Sequence, residues 1–224
     1  MIYVIAAHCS WYNDYADRLH ERTGHQFVLI SEKHELTRMH LDTIQPRCIF
    51  LPHWSHKVPD EVYESFECVI FHMTDLPFGR GGSPLQNLIA RGVYETRISA
   101  LKCTAEVDAG PVYLKRPLSL YGTAEEIYMR AARVVEGMIV ELIKNEALPV
   151  EQEGDVVHFA RRKPEDGDIS ELSELTEVFD YIRMLDAEGY PNAFLETEHF
   201  RFEFKRPSLK HGKVVADVTF TRKG

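Results

Sequence analysis

Glu67-Cys68-Val69-Ile70-Phe71, running into His72-Met73-Thr74-Asp75-Leu76-Pro77-Phe78-Gly79-Arg80-Gly81-Gly82-Ser83-Pro84, is the stretch on which the fold turns. The first five residues are a short apolar run that reads as a buried strand. The polar, glycine-rich run reads as a connection, and Pro84–Ala90, closed by Gly92, as the next helix. The alternation continues in both directions. Upstream, Ile2–Ala6, Gln26–Ile30 and Arg47–Leu51 read as strands, with helical stretches over Trp11–Arg22, His34–Thr43 and Pro59–Ser65. Downstream, Arg97–Thr104 and Val112–Pro117 read as strands. Thr123–Asn145 reads as a long helix with Ile127, Ala131, Val134, Val135, Met138, Ile139 and Leu142 on one face and a Thr123/Glu126 capping box at its start.

Strands alternating with helices imply βαβ units, so the expected class is α/β, a mostly parallel sheet flanked by helices. The pattern changes after Gly154. A charged loop (Arg161–Asp168) leads to a helix over Ser173–Glu188, and then to β-like runs at Ala193–Glu196, Arg201–Lys205 and Val214–Thr221. The expected division is a domain over 1–153 and a small α+β subdomain over 154–224.

Composition sets outer limits. The 224 residues carry 35 acidic and 26 basic side chains, a formal net charge of −9, and are 44% hydrophobic and 27% charged. These are ordinary globular proportions and exclude a disordered chain. The acidic balance argues against a long phosphate-backbone partner, whose binding comes mostly from Lys and Arg. Cys9, Cys48, Cys68 and Cys103 are scattered with no C-x-x-C, the pattern of reduced cysteines in a cytoplasmic protein. Met1 leads into an apolar strand without a basic n-region, so no signal peptide is expected. No run approaches the roughly 18 apolar residues of a membrane span.

Ligands of open α/β sheets bind beyond the carboxyl ends of the strands. Pro52–His56, His72–Pro84 and Ala105–Gly110 all fall there. His72 alone reads as a satisfied core histidine, and Asp108 alone as a turn former. On adjacent parallel strands the two would meet in one crevice, where a carboxylate can hold an imidazole's orientation. Gly79-Arg80-Gly81-Gly82 would let backbone N–H groups approach an anion, but it matches neither G-x-G-x-x-G nor the Walker pattern, and a flexible turn serves as well.

Together, His72-Met73-Thr74-Asp75-Leu76-Pro77, Arg80-Gly81 and Pro84-Leu85-Gln86 resemble the H-x-S-x-L-P…R-G…P-x-Q signature of the folate-dependent formyltransferases. Val107-Asp108-Ala109-Gly110 resembles the D-x-G element that follows. Phe159–Ile169 with Tyr181-Ile182-Arg183 and Tyr190-Pro191-Asn192-Ala193-Phe194 resembles the segment after the catalytic domain in amino-sugar N-formyltransferases. The likeness spans roughly Ile49 to Phe204.

What the resemblance implies is a Rossmann-like catalytic domain that moves a formyl group from N10-formyltetrahydrofolate to an amine, without a metal. The family's histidine and aspartate carry over to His72 and Asp108. Its asparagine, two residues before the histidine, falls on Ile70, which cannot donate a hydrogen bond. A donor for the developing oxyanion is worth roughly 10²–10³-fold, so a substitute is expected. His53 is the first choice, with Ser55 or a loop N–H as alternatives. The cofactor side is expected at Trp54, Ser55, His56, Lys57, Val58, Thr104, Glu106, Val107 and Asp108. The substrate side is expected at Met73, Arg80, Gly81, Gly82 and Ser83.

The expected acceptor is a nucleotide-linked amino sugar of the pseudaminic-acid type, with no nucleic acid and no membrane, and a homodimer left open. Only about 70 residues follow Gly154 and the charge is −9, which disfavours the alternative acceptor, methionyl-tRNA. A non-enzymatic binding module is favoured only by Ile70. A metal-dependent hydrolase finds no support, because His34-Glu35…His40 and His53-x-x-His56 lack the required ligand spacing.

Overall fold

The computed structural model describes residues 1–224. Its strands are β1 (Ile2–Ala6), β2 (Gln26–Ile30), β3 (Ile49–Pro52), β4 (Cys68–His72), β5 (Phe78–Gly81), β6 (Glu95–Lys102), β7 (Val112–Ser119), β8 (Val157–Phe159), β9 (Ala193–Glu196), β10 (Phe200–Lys210) and β11 (Lys213–Arg222). Its helices are α1 (Tyr15–Thr23), α2 (Arg38–Ile44), α3 (Asp60–Tyr63), α4 (Pro84–Ile89), α5 (Ala124–Asn145) and α6 (Leu175–Leu185). The chain divides into two compact units: Met1–Gly81 with Thr96–Leu118 and Met129–His158, and Gly82–Glu95 with Ser119–Tyr128 and Phe159–Gly224. The second unit thus takes in two earlier segments as well as the carboxy-terminal residues.

A six-stranded sheet in the order β2-β1-β3-β4-β6-β7 organises the first unit. β1 runs parallel to β2 and β3, and β3 parallel to β4. Parallel strands covered on both faces need apolar residues at successive positions. Val4, Ile5 and Ala6, then Ile49, Phe50 and Leu51, are accordingly all buried. α5 contributes Ala131, Val135, Met138 and Ile139 to this core. The Thr123–Glu126 box at its start is formed, with Thr123 N–H donating to Glu126 Oε2 at 2.8 Å and Glu126 N–H to Thr123 Oγ1 at 3.3 Å. On the same helix Glu136 is buried and receives Arg18 and Arg22 from α1.

Three details differ from the sequence reading. β6 pairs antiparallel with β4, His72 lying opposite Ser99 and Val69 opposite Lys102. The glycine-rich run is partly a strand, because β5 finds a partner in β8. His34–Thr43 is broken at Thr37, whose side chain caps α2 by accepting the His40 N–H.

In the second unit, β11-β10-β9 form an antiparallel sheet against which α6 packs. Pro207 does not end β10, because it sits where the β10–β11 register shifts between Lys205 and Ser208, beyond the last residue paired with β9. A bulge on an unpaired edge tolerates the missing N–H. Arg183 of α6 is fully buried. Its guanidinium donates to Asp180 at 2.6 Å and to the carbonyls of Leu120 at 2.6 Å and Gly122 at 2.9 Å, and lies over the rings of Tyr94 and Phe179.

Candidate active site

His72 is the last residue of β4 and is buried, on the same face of the strand as Ile70 two residues earlier. Its Nε2 lies 2.7 Å from the carbonyl oxygen of Gly79, an acceptor, so Nε2 carries the proton. Its Nδ1 lies 3.5 Å from Asp108 Oδ2, within ion-pairing reach. The sequence thus pairs the right two residues by the wrong route. Antiparallel β6 ends beside Val69, so Asp108 returns to His72 on the Cys103–Pro111 loop and not from a neighbouring strand end.

That loop is closely specified. Asp108 is buried with φ +54°, a left-handed conformation that costs a non-glycine residue energy. A Cβ on Gly110 would fall 2.0 Å from the Lys102 carbonyl oxygen, so only glycine fits. Asp108 Oδ2 also accepts the Gly81 N–H at 2.9 Å. Gly79 and Gly81 both have positive φ, +80° and +108°. This run shapes a strand that contacts both His72 and Asp108, and the Gly81 N–H is committed to Asp108.

His53 follows β3 directly, at φ +52°. It forms a second group with aromatic neighbours: His8 at 6.2 Å and Trp11 at 5.6 Å between ring centroids, edge-on in the case of Trp11. Trp54 and His56 extend it, 5.6 Å apart. Register shows why. Ile5 pairs with Phe50 and Pro52 with Phe71, so His8, His53 and His72 occupy matching register positions at the carboxyl ends of three adjacent parallel strands. Burial, and secondarily His8, pushes the His53 imidazole down to about 4, so it is neutral at physiological pH. His8 is lowered as well, by burial and by His56. The indole N–H of Trp54 is buried without a partner, a donor that fits an acceptor on a bound ring system.

The remaining expected residues are distributed unevenly. Val58 is buried, Ser55 is exposed, and Lys57 pairs with Asp60 at 2.8 Å. Thr104 Oγ1 donates to the Glu106 carbonyl at 3.1 Å, and Val107 is exposed. Met73 is buried. Arg80 is engaged within the protein, with Glu106 at 3.4 Å and with Gln152. Gly82 and Ser83 begin the second unit, where the Gly82 N–H donates to the Phe159 carbonyl at 3.1 Å and Ser83 Oγ accepts the Arg162 N–H at 3.1 Å. Sequence reasoning missed Gln152, which no motif marks, and His8, which the rule about strand ends would have found had it been applied to β1. No disulfide joins the four cysteines. Burial raises Cys103 to about 11, so it is no nucleophile. No helix is long and apolar enough to cross a membrane.

The solved structure of methionyl-tRNA formyltransferase from Clostridium thermocellum matches at 47% identity and a TM-score of 0.97, over 100% of both chains. Methionyl-tRNA formyltransferase of Sorangium cellulosum (strain So ce56) is 33% identical over 134 residues, 57% of this chain and 42% of that protein. The family described as methionyl-tRNA formyltransferase, C-terminal domain, matches residues 164–221. A likely sugar N-formyltransferase from Mycobacterium tuberculosis shares the fold, with a TM-score of 0.70 over 97% and 95% of the two chains, at 13% identity. The chain belongs to the formyltransferase family, one-carbon transferases whose formyl donor is N10-formyltetrahydrofolate. Within it, the strong similarity is to methionyl-tRNA formyltransferases. The chain spans about half the length of the curated relatives it matches.

These findings correct the expected acceptor. A nucleotide-linked amino sugar, and the exclusion of nucleic acid, rested on overall charge and on the short carboxy-terminal stretch. The relative that is 47% identical over 100% of both chains bears the name methionyl-tRNA formyltransferase, and the segment likened to amino-sugar enzymes is largely the one matched to the family model for that enzyme's C-terminal domain. The physical error is the use of net charge, because RNA binding depends on local charge. Across His199–Gly224, seven Lys/Arg face two Asp/Glu within a chain of net charge −9.

Proposed function

We propose that this chain transfers a formyl group from N10-formyltetrahydrofolate to the amino group of methionyl-tRNA in the cytoplasm. The observation that carries the reading is the buried His72–Asp108 pair, held in the H-x-x-x-L-P and D-x-G elements of a chain 47% identical to a methionyl-tRNA formyltransferase. Its setting in the cytoplasm is supported by four cysteines that form no disulfide.

When bound, N10-formyltetrahydrofolate supplies the formyl carbon. Trp54, His56 and Val58, with the Thr104–Asp108 loop, are the residues to hold its ring system. Asp108 fixes the His72 ring. His72 would take the proton lost by the attacking amine as the new amide bond forms and return it to N10 as the N10–formyl bond breaks and tetrahydrofolate leaves, a task worth roughly 10²–10⁴-fold. For its Nε2 to serve, the Gly79 carbonyl must give way to substrate and the ring proton must sit on Nδ1, where it faces Asp108. His53 takes the place of the family's asparagine. As a neutral imidazole it donates one N–H to the formyl oxygen where negative charge develops, worth roughly 10²–10³-fold. Residues 1–153 carry the chemistry, and the basic strands of residues 154–224 meet the phosphate backbone of the acceptor.

The test is to incubate the purified chain with N10-formyltetrahydrofolate and either initiator methionyl-tRNA or free methionine. Formylation of the tRNA-linked amine alone supports the reading. Absence of formyl-methionyl-tRNA under conditions where the folate binds rejects it.

A further inference from the structure

Gln152 lies between α5 and β8, outside both the H-x-x-x-L-P and the D-x-G elements. Its backbone is anchored two residues earlier, where Val150 and Val112 form a bridge: the Val112 N–H donates to the Val150 carbonyl at 2.7 Å, and the reverse bond is 2.9 Å. From that anchor the side chain reaches the loop that precedes β7. The Nε2 group donates to the backbone carbonyls of Asp108 and Gly110, both at 2.8 Å. The Oε1 atom accepts two hydrogen bonds from Arg80, from Nε at 3.1 Å and Nη2 at 2.9 Å.

The chemistry of the partners fixes the amide's orientation. A guanidinium only donates, so the atom facing Arg80 is the oxygen. Two carbonyls only accept, so the atom facing the loop is the nitrogen. Every strong hydrogen-bonding position of the amide is used. The residues it joins are those on either side of the catalytic carboxylate. Asp108 and Gly110 lie in the loop, and Arg80 is next to Gly81, whose N–H binds Asp108 Oδ2 at 2.9 Å. Asp108 is held at φ +54°, a conformation a non-glycine residue keeps only when its surroundings impose it.

We infer that Gln152 is the positioning residue of the active site: it clamps the Asp108–Gly110 loop in the conformation that presents the carboxylate to His72, and Arg80 orients Gln152 for that task. The inference rests on the proposed role of the His72–Asp108 pair. Gln152 touches no reacting atom. A loop misplaced by about 1 Å costs roughly 10²-fold in turnover, so the loss of Gln152 lowers kcat, and because the same loop faces the folate the KM for N10-formyltetrahydrofolate rises with it.

Gln152→Glu is the discriminating variant. A carboxylate still accepts from Arg80, and as a charged partner does so more strongly, but it cannot donate to either loop carbonyl. If the clamp matters, Gln152→Glu fails as badly as Gln152→Ala while keeping its ion-pair support for folding. The expected result is a kcat lower by roughly 10²-fold in both variants, with a raised KM for N10-formyltetrahydrofolate in both. In parallel, the 15N shift of His72 Nδ1 should move toward the value seen in Asp108→Asn, which marks the lost pairing. A Gln152→Glu enzyme with kcat within about twofold of the parent, or an unmoved His72 resonance, overturns the assignment. The resonance needs no acceptor. A parent chain inactive on methionyl-tRNA therefore overturns the proposed function, and the His72 shift alone then decides the role of Gln152.

Discussion

Asp108 Oδ2 stands 3.5 Å from His72 Nδ1 and accepts the Gly81 N–H at 2.9 Å, so one carboxylate oxygen ties the strand-end histidine to the glycine strand behind it. The arrangement makes Asp108 an orienting group. Asp108→Asn should lower kcat by roughly 10²-fold or more, and His72→Ala by roughly 10²–10⁴-fold, with folded structure retained by circular dichroism. Steady-state formylation of methionyl-tRNA checks both. Near-parental turnover in His72→Ala removes the histidine from the mechanism.

His53 should cost roughly 10²–10³-fold in kcat when truncated to alanine, if it supplies the oxyanion donor. Ile70 shares the face of β4 with His72, the position of the asparagine that the family's pattern calls for. Ile70→Asn in the His53→Ala background should recover part of the loss, at a stability cost from placing an amide among apolar residues. No recovery, with the double variant folded, assigns the donor elsewhere.

How much of this could be read beforehand depends on range. β1, β2 and the α5 capping box were legible because their signals lie within a few residues of one another. His72 and Asp108 were legible through their motifs. The antiparallel sense of β6 was not, because a strand's direction leaves no trace in its own composition. Nor was Gln152, whose partners lie 42 and more residues away and which carries no local pattern. The acceptor was misread because the net charge was given more weight than the basic terminus, which by itself reads as a solvated strand edge.

The depressed His53 imidazole also sets a pH dependence of stability. Its folded value, about 4, lies below the unfolded 6.5, so between them the unfolded chain binds more protons. Stability is therefore complete above pH ~6.5 and falls as pH drops toward ~4, at up to about 1.4 kcal/mol per pH unit from this group. Urea midpoints at pH 7, 6 and 5 should show the decline, and His53→Gln should flatten it. The depressed His8 leaves a residual slope. An equal slope in parent and variant contradicts the assignment.

Arg183 is the polar centre of the second unit. Asp180→Ala removes the carboxylate that pairs with it and leaves a buried guanidinium uncompensated. The expected loss is about 3–5 kcal/mol in urea unfolding followed by circular dichroism. Replacing the pair together, Arg183→Met with Asp180→Leu, should cost less than the single change. The opposite order would show that the carbonyl and ring contacts of Arg183 outweigh its charge pairing.

If the β10–β11 hairpin meets the acceptor's backbone, the KM for methionyl-tRNA should rise steeply with salt. Lys205→Glu, Lys210→Glu and Lys213→Glu together should raise KM, leave kcat unchanged and flatten the salt dependence by about one unit of slope for each phosphate no longer neutralised. An unchanged slope places the acceptor on another surface.

The most direct measurement is single-turnover formyl transfer from N10-formyltetrahydrofolate to initiator methionyl-tRNA, comparing the parent chain with His72→Ala and reading formyl-methionyl-tRNA against tetrahydrofolate released. The expected result is equimolar product and tetrahydrofolate from the parent, with a rate reduced roughly 10²–10⁴-fold in the variant. Equal rates in both proteins, or release of tetrahydrofolate without a formylated tRNA, would contradict it.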